Sequence, residues 1–181
     1  MPPGATWQTF FDPETVLTRL SLTANHQCVV DFGCGFGTFA IPAARIVQGT
    51  VHAIDIDPEM VAATRIKARE LGLSNLLAAQ SDFVQKGCEL SDDSVDYVML
   101  FNILHAQEAD ALLAEARRLL GRDGILAVIH WNYDPATPRG PSMEIRPMPA
   151  GCQNLVRKAG FKVAPLVDLP PYHYGFTARR D

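Results

Sequence analysis

Apolar and polar positions follow two periods along the chain. Residues 28–32, 50–56, 95–100 and 125–131 are short runs with few polar interruptions. Such runs predict strands buried on both faces. Between them the spacing becomes helical. Val16, Leu17 and Leu20 share a face, as do Phe39, Ala40, Ala43 and Val47, and Ala109, Leu112, Leu113, Ala116, Leu119 and Leu120. Asp12-Pro13-Glu14 and Asp57-Pro58-Glu59 each read as a helix start: a capping acid, a proline at the first position and an early acid. The second of these helices is expected to end at Leu71, with Gly72 closing it. Pro42 is tolerable in its helix only near the first turn. Residues 76–79 supply a third strand.

Buried strands alternating with helices imply an α/β fold with a mostly parallel sheet covered on both faces. The pattern weakens after Trp131. Residues 134–151 hold five prolines together with Gly140 and Gly151, and read as a substrate-side loop or lid. Residues 154–159 suggest a last helix, and 161–169 and 172–179 two strands joined around Pro170-Pro171. A length of 181 residues fits one domain, 1–181, with residues 1–27 as a segment ahead of the first strand.

Composition narrows the function. The formal charge is −4 and no long basic stretch occurs, so nucleic acid is not an expected partner. No apolar run approaches the roughly 18 residues of a membrane span. The start, MPPGATWQTFF, lacks a signal peptide's basic end and apolar core, which makes the cytoplasm the default location. The cysteines at 28, 34, 88 and 152 match no zinc or redox spacing, so no metal is expected.

The stretch VVDFGCGFG at 29–37 carries the chemistry. A glycine loop after a first strand lies where α/β sheets collect ligands, and lets a ligand touch backbone. Its N–H groups and those of the next helix suit an anion. Asp55 follows Gly33 by 22 residues, at the end of strand two, where a carboxylate accepts from both hydroxyls of a ribose. The dinucleotide pattern G-x-G-x-x-G fails, because Thr38 stands at its third glycine. Asp31 would repel a pyrophosphate but favour an amine. The ligand expected is therefore zwitterionic, with S-adenosylmethionine ahead of a nicotinamide dinucleotide.

These segments resemble those of the class I S-adenosylmethionine-dependent methyltransferases. VVDFGCGFG is similar to the family's first motif and HAIDIDPEM at 52–60 to its second. AQSDF at 79–83 resembles the adenine-contact segment, and DYVMLFNILHA at 96–106 the fourth strand. LLGRDGILAVIHW at 119–131 resembles the entry into the fifth, and GFKVAPL with YHYGFTARR the final antiparallel hairpin. The resemblance implies a Rossmann-like, doubly wound, seven-stranded sheet of order 3-2-1-4-5-7-6 with strand seven antiparallel. It implies methyl transfer from S-adenosyl-L-methionine, leaving S-adenosyl-L-homocysteine. Asp31 would face the amine, and Gly33, Cys34, Gly35 and Gly37 the loop side of the cofactor. Asp55 would hold the ribose. Ile56 and Met60 would either cover the adenine or pack in the core, with Asp82 accepting from the adenine amino group and Ser81 and Phe83 beside it. Asp57 serves either as helix cap or as ligand contact, and Asn102 would face the methionine part.

On the acceptor side the candidates are His105, His130, Tyr133, Arg146 and His173. Arg146 is placed to bind a carboxylate or phosphate. The acceptor wall is expected from residues 1–20, the proline-rich stretch and the 170–174 turn. The acceptor is expected to be a small molecule. Two alternatives stand beside this reading: a binding protein that keeps the cofactor fold without transfer, and a nicotinamide oxidoreductase.

Overall fold

The computed structural model describes residues 12–181. Its sheet comprises β1 (Cys28–Phe32), β2 (Thr50–Asp55), β3 (Leu76–Gln80), β4 (Val95–Phe101), β5 (Leu120–Trp131), β6 (Phe161–Val163), β7 (Val167–Leu169) and β8 (His173–Arg180). The helices are α1 (Pro13–Arg19), α2 (Ala40–Ile46), α3 (Pro58–Glu70), α4 (Ala109–Leu119) and α5 (Pro149–Lys158).

The strand order is β3-β2-β1-β4-β5-β8-β6, with β7 also paired to β8. Strands β1 to β5 pair in parallel, while β8 runs antiparallel to β5, β6 and β7. This is the expected doubly wound order, with one difference. The strand expected over 161–169 is two short strands on the same edge of β8. Pro165 separates them, since it has no N–H to give the ladder.

Alternate residues of each strand feed opposite cores. Val29, Tyr97, Met99, Ala127 and Ile129 pack under α1 and α2. Val30, Val98, Leu100, Leu126 and Val128 pack under α4 and α5. Both proline-led starts behave as their sequences require. Asp12 accepts from the N–H groups of Glu14 and Thr15, and Asp57 from that of Glu59 at 2.8 Å. Two links, the first of them buried, tie distant segments together. The Tyr97 hydroxyl donates to the Leu20 carbonyl, and Asp96 accepts from the N–H groups of Gln27 and Cys28.

Two boundaries moved. The last helix begins at Pro149 rather than at 154, because that proline occupies its first turn, where a missing N–H costs nothing. The fifth strand begins at Leu120, five residues early. Its register against β4 jumps between Val95 and Tyr97, which accommodates residues 121–124 as an irregular excursion.

Candidate active site

The glycine loop leaves β1 at the carboxyl edge of the sheet. Gly33, Gly35 and Gly37 have φ of +71°, +53° and +75°, a region that side chains disfavour. At Gly37 an added Cβ would also come within 2.9 Å of Ile41 and 3.0 Å of Thr64. The loop is clamped from three sides. Asp55 accepts from the Gly35 N–H at 2.8 Å and from the Asp57 N–H at 3.0 Å. The Thr64 hydroxyl donates to the Gly35 carbonyl, and Lys67 to that of Phe36. The N–H groups of Gly33, Cys34, Gly35 and Gly37 are all taken internally. Those four donors are therefore not the anion cradle that the sequence led us to expect. The glycines act by letting a ligand come close.

Behind this loop, Asp31 is buried and its carboxyl is pushed up to about 8. Desolvation is the main cause and the Asp55 charge adds to it, while the Ala40 N–H works in the opposite direction. At the end of β4, Asn102 takes a left-handed φ of +59°, and its N–H donates to the Ile129 carbonyl. Its side-chain oxygen is buried and has no hydrogen-bond partner among the described residues.

Asp31, Gly33, Cys34, Gly35 and Asn102 border a cavity of about 390 Å³. Phe36, Phe39, Phe101 and Trp131 give it aromatic walls, His105 lies at its edge, and Arg139, Gly140 and Pro141 close it from the loop after β5. Phe39 meets Phe101 edge-on at 4.6 Å. The adenosine-side candidates lie beyond this cavity, at the ends of β2 and β3. Ile56 is 59% exposed there, unusual for an isoleucine beside a buried acid. The Asp82 carboxylate accepts from the Gln85 N–H. The Ser81 hydroxyl donates to the Gly87 carbonyl, and Met60 is half-buried.

Several candidates are committed elsewhere. Arg146 is buried, and its guanidinium donates to the carbonyls of Asn132, Asp134, Arg139 and Pro141 and to the Thr137 hydroxyl. It organises the loop and has no face left for a substrate anion. Gly140 sits under it, at φ +117°, where a Cβ would meet Arg146 and Trp131 within 2.9 Å. Phe83 packs in the core against Phe32, with ring centroids 4.7 Å apart. Asp57 caps α3. His173 is fully buried against Trp131, and Tyr133 is exposed; neither lines the cavity. His130 is also fully buried, one ring behind His105. The expected wall from residues 1–20 falls partly outside the described residues, and the 170–174 turn does not line the cavity. Phe36, Phe101 and Arg139 were missed. For Phe36, a phenylalanine between two loop glycines was a usable signal.

The sequence pattern of the family described as "Methyltransferase domain" matches residues 24–155. The chain belongs to that family. It is a class I S-adenosylmethionine-dependent methyltransferase. A SAM dependent methyltransferase from Aquifex aeolicus superposes with a TM-score of 0.87 and 26% identity, covering 100% of both chains. Ribosomal protein L11 methyltransferases are also similar. That of Klebsiella pneumoniae is 31% identical over 130 residues, which is 70% of this chain and 44% of the relative. That of Dechloromonas aromatica is 40% identical over 81 residues, 43% of this chain and 27% of the relative. The methyltransferase thus spans less than half the length of these curated relatives. Their names carry a protein substrate, which overturns the expectation of a small-molecule acceptor.

The cofactor of this family is S-adenosylmethionine. The site's residues fit that cofactor. Asp31 is a buried carboxyl with no cation beside it among the described residues, and Ile56 offers an apolar surface next to Asp55. The Asp55 oxygens each hold one backbone N–H and keep lone pairs for ribose hydroxyls. Among the described residues no cluster suits a metal ion. No helix there is long and apolar enough to cross a membrane.

Proposed function

We propose that the methyltransferase transfers its methyl group to a nitrogen carried by a polypeptide. The observation that carries this reading is the Asn102 side-chain oxygen, a buried acceptor without a partner among the described residues, at the edge of an aromatic-walled cavity. An N–H group satisfies such an oxygen, and aromatic faces favour an approaching cationic tip on an apolar stem. The protein substrates named in its relatives support a polypeptide as carrier. Bound S-adenosylmethionine supplies an already activated methyl group. The protein's part is then to align the nitrogen, keep water out and hold the proton it loses. Asn102 orients, and Phe36, Phe39, Phe101 and Trp131 exclude water. We place the reaction in the cytoplasm, where the four free thiols stay reduced.

The test is incubation with methyl-tritiated cofactor and a protein extract, followed by acid hydrolysis. Label recovered as N-methyl amino acid is the expected result. Label in the low-molecular-weight fraction, or released from protein by mild alkali as a methyl ester, would sink the reading.

A further inference from the structure

His105 ends the turn after β4 and lines the cavity, partly buried. Its Nδ1 is buried with no hydrogen-bond partner among the described residues. Directly behind it lies His130 of β5, with ring centroids 5.4 Å apart and planes at 86°. Both nitrogens of His130 are buried and lack a well-formed hydrogen bond among the described residues, though an interaction with the Trp131 backbone favours its charged form. A partly buried imidazole and a fully buried one, set edge to face and each with an unsatisfied nitrogen, complete one another when the rings turn so that one donates and the other accepts.

We propose that His105 is the base of the transfer: His130 accepts the Nδ1 proton of His105, which leaves the basic Nε2 of His105 for the acceptor nitrogen in the cleft. The proposal rests on the reading of an amine acceptor. An amine at neutral pH is an ammonium ion with no free electron pair. His105 removes one N–H proton, and the freed pair forms the bond to the methyl carbon. The carbon–sulfur bond breaks, its electron pair returns to sulfur, and the proton remains on His105 until it reaches solvent.

The surroundings keep both rings uncharged. Burial lowers His105 below the ordinary imidazole value. His130 is pushed down to about 3, first by burial, then by His105, with smaller contributions from His173 and Arg146. Tyr174 stacks on its far side at 6.3 Å. Asp31, Cys34 and Arg139 share the cavity with His105. The Cys34 thiol is raised by burial and stays protonated, and Asp31 is reserved for the cofactor's amine. His105 is the group left to take a proton. His130, which does not line the cavity, is a positioning residue that fixes the tautomer.

Two measurements test this. The first is nitrogen-15 NMR of the imidazoles in the full chain with S-adenosylhomocysteine, which needs no acceptor. His105 should show the Nδ1–H tautomer. His130→Phe should move it to Nε2–H, and His130→Asn, which keeps an acceptor, should restore Nδ1–H. The second is methyl transfer to a pool of lysine-rich peptides. His105→Gln should lose on the order of 100-fold or more in kcat at pH 7, with KM and cofactor Kd unchanged. Its remaining rate should keep climbing with pH as the amine deprotonates unaided, whereas the parental rate levels off above neutrality. An Nε2–H tautomer in the parent, or parental kcat in His105→Gln, would overturn the proposal. A peptide pool that takes no label refutes the amine reading instead, and the tautomer then decides the assignment of His105.

Discussion

Replacing Asp31 by asparagine isolates the charge that faces the cofactor's amine. In the cofactor-free protein the carboxyl titrates at about 8, so at pH 7 it is roughly nine-tenths protonated. An ammonium ion placed beside it favours the carboxylate and expels that proton. Binding should therefore release close to one proton at pH 6 and roughly 0.9 at pH 7. Affinity should rise about tenfold over that interval, or about 1.4 kcal/mol. Above pH ~8 the cofactor's own amine titrates and the trend ends. The sign for stability follows from the raised value. The neutral carboxyl's contribution is complete below pH ~4 and is lost as pH rises through about 8, so the cofactor-free protein weakens across that window. Titration calorimetry of S-adenosylhomocysteine in buffers of different ionisation enthalpy counts the protons directly. In Asp31→Asn the count should fall to zero and affinity should become flat with pH. A parent that binds with no proton release between pH 6 and 7 would refute the pairing of Asp31 with the amine.

Asp55→Ala removes the acceptor of the Gly35 and Asp57 N–H groups. It should lower unfolding free energy by roughly 3 kcal/mol in a urea titration, and weaken S-adenosylhomocysteine at least tenfold by calorimetry. Arg146→Lys keeps the charge but cannot reach five carbonyl and hydroxyl oxygens with one ammonium. Hydrogen exchange over residues 132–146 should accelerate strongly while that of β1 to β4 stays unchanged; equal protection in that loop would contradict its dependence on the guanidinium.

The sheet was legible because its strands are buried on both faces and leave uninterrupted apolar runs, as at Val95–Phe101. Helix starts were legible because their caps are local, at Asp12 and Asp57. Pro149 and Pro165 were harder. The same residue opens a helix in one place and breaks a strand in the other, and only the flanking structure decides. At the site, Asp31 and Asp55 declare themselves as lone acids in apolar strands. Arg146 does not. Its partners are backbone carbonyls up to 14 residues away, which leave no trace in side-chain pattern, so it read as a surface ligand for anions. Phe36 and Phe101 were not singled out, because a cleft wall and a core use identical side chains. The acceptor was misjudged because its class was inferred from the few groups left to cover it.

The position of β8 sets an order on assembly. This strand lies inside the sheet, between β5 and the β6–β7 edge, yet it comes after all of them in the chain. Until residues 173–180 are in place, one side of β5 has an open ladder next to Leu126, Val128 and Ile129. The cofactor half of the cleft, built on β1, β2 and β4, needs none of these late residues. The half that holds Trp131 does, because that residue pairs directly with β8. A nascent chain thus reaches a donor-side pocket first and carries an adhesive strand edge for as long as synthesis of its last segment takes, a period in which chaperone capture or pairing with another copy competes with completion.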